Sequence, residues 1–142
     1  MAATDQIWVI EGVQEMADAA FKDDATPEAH RIVLFSNDAA VTNAMVYADI
    51  TIIDANGCEA ITLTKASWTA ATAADPSVLV FNSGTGAHWD VTGAQAVYGW
   101  AICGVTSTKI YCAQNWALKN FIDGEDIDIV PLQLKFVMPL PA

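Results

Sequence analysis

Two histidines, three cysteines and one dense acidic run are the residues of this chain whose types and spacing could support chemistry. A hydrolytic nucleophile needs a base beside it, but no Gly-x-Ser-x-Gly elbow occurs, and His30 and His88 stand far apart in sequence. His88, next to Trp89, reads more simply as a half-exposed strand residue. No glycine-rich phosphate loop of the GxGxxG or GxxxxGK type follows a strand, so nucleotide binding finds no support. Cys58, Cys103 and Cys112 lack CxxC spacing, and a four-ligand zinc pattern is missing. Cys103 and Cys112 flank an expected hairpin turn; a disulfide between them and three buried, reduced thiols are both open, the second being the usual state of free cysteine.

The acidic run Asp123-Gly124-Glu125-Asp126-Ile127-Asp128 places oxygen ligands around a glycine turn, as a Ca²⁺ site would. Its order does not match an EF-hand loop, however. The alternation of Asp126 and Asp128 with Ile127 and Ile129 also describes a strand with one solvated face. Paired carboxylates for glycoside hydrolysis would want more polar and cationic company than the sequence offers. The expectation is a non-enzymatic protein with no cofactor and no committed metal ligand. Five tryptophans, at positions 8, 68, 89, 100 and 116, allow a sugar-stacking platform of Trp68, Trp89 and Trp116. Core or subunit-interface positions account for them more simply, since aromatic residues are enriched in both.

The elements that must carry these residues are short. Ile7 to Ile10 is an apolar run, a strand or the entry to a helix. Glu11 to Lys22 follows with Val13, Met16, Ala17, Ala20 and Phe21 on one helical face, which predicts a short helix held by packing through that face. From His30 the pattern becomes β-type: Arg31 to Phe35, Glu59 to Thr64, Val78 to Phe81, Ala87 to Val91, Ala96 to Gly104, Lys109 to Trp116 and Ile127 to Met138. Turn signals separate them, including Ser36-Asn37-Asp38, Asn56-Gly57 and Asp123-Gly124. Pro131 shifts the phase of the last run and implies an edge or a bulge. Residues 39–50 are ambiguous, with Tyr47-Ala48-Asp49 in a turn or a single helical turn. The expected fold is all-β: a jelly-roll-like antiparallel β-sandwich preceded by one short α-helix. It divides into an N-terminal arm and helix (1–29), the sandwich (30–138) and a short tail (139–142).

With 142 residues the chain forms one domain, large enough to hide roughly 68% of its unfolded surface. Six basic against seventeen acidic residues give a formal charge of −11, which argues against nucleic-acid and anionic-membrane partners. No apolar stretch reaches the roughly 18 residues of a membrane helix, and Met1 to Gln6 lacks the basic start of a secretory signal. Synthesis inside the cell is the expectation. Hydrophobic residues make up 54% and charged residues 16%, more apolar side chains than a sandwich of this size conveniently hides. Surfaces of that kind mark obligate assembly.

The order of EGVQEM, RIVLFSND, a Tyr-Ala-Asp stretch, a Leu-Thr…Ala-Ser-Trp segment, a Trp-Asp-Val strand, VYGWAICG and DGEDIDIVPLQLKFVM resembles a family of small tailed-bacteriophage structural proteins. Leu34 to Asp38, Val97 to Trp100 and Gly124 to Pro131 carry the resemblance. Trp100 stands for the family's usual aromatic, and Glu125 is inserted before Asp126. The resemblance implies a virion component made in the host cytoplasm: a capsid decoration or cement protein, forming homotrimers on the shell of the major capsid protein. It also leaves room for a tail or fibre component. A carbohydrate-binding module is the reading from another class. The expected interface residues are Ile7 and Trp8 in the N-terminal arm, Trp68 and Trp89 on strands, and Pro139 and Leu140 in the tail.

Overall fold

The computed structural model describes residues 5–22, 28–74, 76–82 and 85–136. Among the described residues, nine strands and one α-helix follow in the order β1 (Ile7–Trp8), α1 (Ile10–Phe21), β2 (His30–Phe35), β3 (Ile61–Leu63), β4 (Ser77–Val80), β5 (Ala87–Asp90), β6 (Gln95–Gly104), β7 (Ile110–Phe121), β8 (Asp126–Ile129) and β9 (Gln133–Phe136). All the pairings are antiparallel. A five-stranded sheet has the order β1-β7-β6-β2-β3, and two ribbons, β4-β9 and β5-β8, form the second layer. The Phe81 amide donates to the Leu132 carbonyl at 2.9 Å and extends the β4-β9 ribbon by one pair. This is the antiparallel β-sandwich with one short helix that the sequence predicts. The arm is less separate than its proposed boundary, because β1 is an edge strand of the large sheet, with Ile7 opposite Ala113 and Trp8 opposite Cys112.

Alternation along the central strands creates two cores, because successive side chains point to opposite faces. Ile32, Leu34, Trp100, Ile102 and Cys112 face the ribbons, where they meet Phe81, Trp89, Ile127 and Leu132. Val33, Phe35, Ala101, Cys103 and Ile110 face the other way, under Ala39, Val41, Met45 and Ile50 from the segment after β2. That segment is the ambiguous stretch of the sequence, and Tyr47–Asp49 forms a single 3-10 turn within it. Each fully buried Ile, Leu or Phe here stabilises the fold by about 1.5–3 kcal/mol relative to exposure.

Local signals place the turns. Asn56 and Gly57 both have positive φ, 58° and 76°, as a tight Asn-Gly turn requires. A β-carbon on Gly57 would overlap the Asp90 carbonyl, so this turn seats directly on the end of β5. Val105 to Thr108 closes the β6–β7 hairpin. A register shift between Ile102 and Cys103 sets Cys112 opposite Ile102 and Cys103 opposite Ile110. Cys103 and Cys112 therefore enter different cores, and all three thiols are unpaired and buried. The last predicted run divides at Val130-Pro131, a cis peptide, into β8 and β9.

Candidate interaction surface

The sequence predicts that α1 packs through Val13, Met16, Ala17, Ala20 and Phe21. The structure turns the helix: of these residues only Met16 packs against a core, and the other four are exposed. The inward face is built from Glu11, Gly12, Glu15 and Met16. Gly12 is the one fully buried helix residue and lies against the backbone of Ile110 and Tyr111. The Ile110 amide donates to Glu11 Oε1 at 2.7 Å, and Lys109 Nζ meets Glu15 Oε1 at 2.7 Å. That carboxylate raises the Lys109 pKa. Backbone approach and two carboxylates thus fix the rotation of the helix against β7. Apolar residues Ile10, Val13, Ala17, Ala20 and Phe21 are left facing water, at a spacing that forms one stripe.

At the same end of the β6–β7 hairpin, Glu28 holds the turn. Its carboxylate accepts the amides of Thr106 at 3.1 Å and Ser107 at 2.9 Å, the Ser107 hydroxyl at 2.6 Å and the Tyr111 hydroxyl at 2.7 Å. Burial pushes its pKa up, but the hydrogen bonds from Ser107, Tyr111 and Thr106 together outweigh this and hold it below the usual glutamate value. His30 sits edge-on to Tyr111, with ring centroids 4.4 Å apart. Burial lowers its pKa, against the opposing pull of Glu28 and with a smaller push from Lys65. Nothing in the sequence marks Glu28 or Gly12, since neither belongs to a periodic apolar pattern.

The expected interface residues fall in different places. Ile7 is half-buried and packs against the core that contains Val33, Phe35 and its strand partner Ala113. Trp8 stacks on Phe136, centroids 4.6 Å apart, and its indole donates to the Lys135 carbonyl at 3.0 Å, so it joins β1 to β9. Trp68 meets the edge of Phe81 at 5.2 Å and lines, with Trp8, Leu79 and Phe136, an apolar cavity of about 320 Å³ between the layers. Trp89 is 3% exposed and donates to the Glu59 carbonyl at 2.8 Å, so its ring is enclosed by its own chain. Pro139 and Leu140 lie outside the described residues. Nor do the three indoles of the sugar-platform reading form one surface. Trp89 is buried, Trp68 lines the inter-layer cavity, and Trp116 lies beneath the Lys119 ammonium, 5.0 Å from its centroid, beside a separate cavity against β8.

The acidic run also divides. Glu125 Oε1 accepts the Ile122 amide at 3.0 Å and closes the turn. Asp126 and Asp128 lie on the outward face of β8 while Ile127 is buried, which is the solvated-strand pattern. Opposite them, His88 reaches Asp128 through Nδ1 at 2.5 Å and Asp90 through Nε2 at 2.9 Å. Hydrogen bonds to Asp128 first and Asp90 second raise the imidazole pKa to about 9. No helix among the described residues is long and apolar enough to cross a membrane. A scan against models of protein families, a search of curated proteins and a search of solved structures each found no match to the chain.

Proposed function

We propose that this chain is a non-enzymatic structural protein of a tailed-bacteriophage virion, a capsid decoration protein that binds the major capsid protein and braces the shell against the pressure of packaged DNA. The observation that carries this reading is the outward stripe of α1. Phe21 is 90% exposed, Ile10 50% and Val13 42%, on a helix whose opposite side is fixed to β7. A contiguous apolar surface held on a rigid support is the form of an interaction site. The resemblance of Leu34 to Asp38, Val97 to Trp100 and Gly124 to Pro131 to small phage structural proteins supports the same reading. A protein of this kind does no chemistry. It adds buried area across joints between capsid subunits, and many copies multiply the effect. The net charge of −11 suits a protein that coats particles and has no affinity for released DNA.

The test is co-sedimentation of the purified chain with undecorated heads and, separately, with tails of the phage that encodes it. Saturable binding to heads, with a rise in the temperature at which they rupture and a trimer by light scattering, is the expected result. Binding to tails alone would move the protein to the tail. A monomer that binds neither would overturn the proposal.

A further inference from the structure

β5 and β8 form a ribbon with two distinct faces. Ala87, Trp89 and Ile127 point inward and are buried, while His88, Asp90, Asp126 and Asp128 point outward. The register sets His88 opposite Asp128 and Asp90 opposite Asp126. Two carboxylates directly opposed across a strand pair repel each other. The imidazole nitrogens are turned to Asp128 and Asp90, and Asp90 and Asp126 lie close enough to share a hydrogen bond. One ligand atom from each of His88, Asp90 and Asp126 lies within 4.8 Å of the other two.

We infer that His88 Nε2, Asp90 and Asp126 form a binding site for a divalent transition-metal ion of the zinc class, with Asp128 orienting the imidazole from its far side. The donor set selects the ion. One imidazole nitrogen and two carboxylates suit Zn²⁺, whereas Ca²⁺ takes six to eight oxygens. A metal-bound histidine characteristically donates its other ring N–H to a carboxylate, which fixes the tautomer and leaves the free lone pair facing the ion. Asp128 stands at that position on Nδ1. Binding displaces a proton from Nε2 to solvent, and Nδ1–H stays on Asp128. Tetrahedral ligands about 2.0–2.2 Å from an ion sit roughly 3.4 Å apart. The Nε2–Asp90 separation of 2.9 Å has to open by a few tenths of an ångström, a small rotation for exposed side chains. Water completes the shell. The ribbon beneath is fixed by Trp89 and Ile127, so the site lies on rigid backbone, and the ion ties β5 to β8.

Calorimetry with zinc chloride alone on the full chain at neutral pH, followed by amide NMR, tests this inference. Saturable 1:1 binding is expected, with shifts centred on β5 and β8. His88→Ala and Asp126→Asn should each weaken binding by roughly tenfold or more, and Asp128→Asn by about 10–100-fold. Asp123→Asn, in the neighbouring turn, should bind as the parent does, and calcium should not compete. Circular dichroism checks that each variant is folded; because these side chains are exposed, Asp126→Asn serves as the near-isosteric control should His88→Ala disturb the ribbon. Absence of saturable zinc binding, binding that survives both substitutions, or shifts centred on His30 or the cysteines would overturn the inference.

Discussion

Gly12 of α1 lies directly against the backbone of Tyr111 in β7, so close that a β-carbon on the glycine would overlap the Tyr111 Cα. This contact decides which side of the helix meets the sheet. Gly12→Ala gains about 1 kcal/mol of helix propensity but forces the helix away from β7. Overpacking of this kind costs about 1–3 kcal/mol. The expected outcome is a net loss of stability in urea denaturation, accompanied by weakened Glu11–Ile110 and Glu15–Lys109 contacts. A variant as stable as the parent would show that the approach is not tight.

The outward stripe should behave in the opposite way. Phe21→Ser and Val13→Ser remove apolar surface that touches solvent, so each should change folding stability by no more than about 0.5 kcal/mol. Binding to undecorated heads should fall steeply in the double variant. Thermal melts and co-sedimentation on the same preparations separate the two effects. A double variant that binds normally would remove α1 from the interface.

Glu28 makes stability depend on acid. Its folded pKa lies below its unfolded value, so its contribution is complete above the unfolded glutamate pKa of about 4.3. That contribution is lost as pH falls through the depressed folded value. Glu28→Gln keeps the shape but weakens the acceptors for Thr106, Ser107 and Tyr111. It should cost about 1–3 kcal/mol near neutral pH and flatten the acid limb of the stability curve. Denaturation at a series of pH values checks both.

His30 acts in a neighbouring range for a different reason. Burial favours the neutral ring, so its folded pKa lies below the unfolded value of about 6.5. Its neutral form supports the fold above that pH, and stability declines as pH falls through 6.5 toward the lower folded value. Imidazole NMR should show His30 titrating below the free histidine range while His88 titrates well above it. The reverse order would contradict both environments.

The strands were readable from the sequence because their signals are carried by side chains. Arg31 to Phe35 and Ala96 to Gly104 combine branched and aromatic residues with clear turn boundaries, and they became the central pair β2 and β6. The Asn56-Gly57 turn and the break at Pro131 were legible for the same reason. The rotation of α1 was not, because it is set by a residue with no side chain and by two glutamates that pattern reading assigns to water. The His88 cluster was equally hidden. His88 and Asp90 lie about forty residues from Asp126 and Asp128, and only the β5–β8 register brings them together. Cys103 and Cys112 looked adjacent because they flank one hairpin; the register shift that parts them leaves no trace in composition.

Strands β2 and β6 are paired along both edges, and their residues are covered on both faces by separate cores. Fraying can reach this pair only after an outer layer has already gone. Amide protons of Val33, Leu34, Ala101 and Ile102 should therefore exchange with deuterium only when the whole molecule opens, giving a direct reading of its global free energy of unfolding.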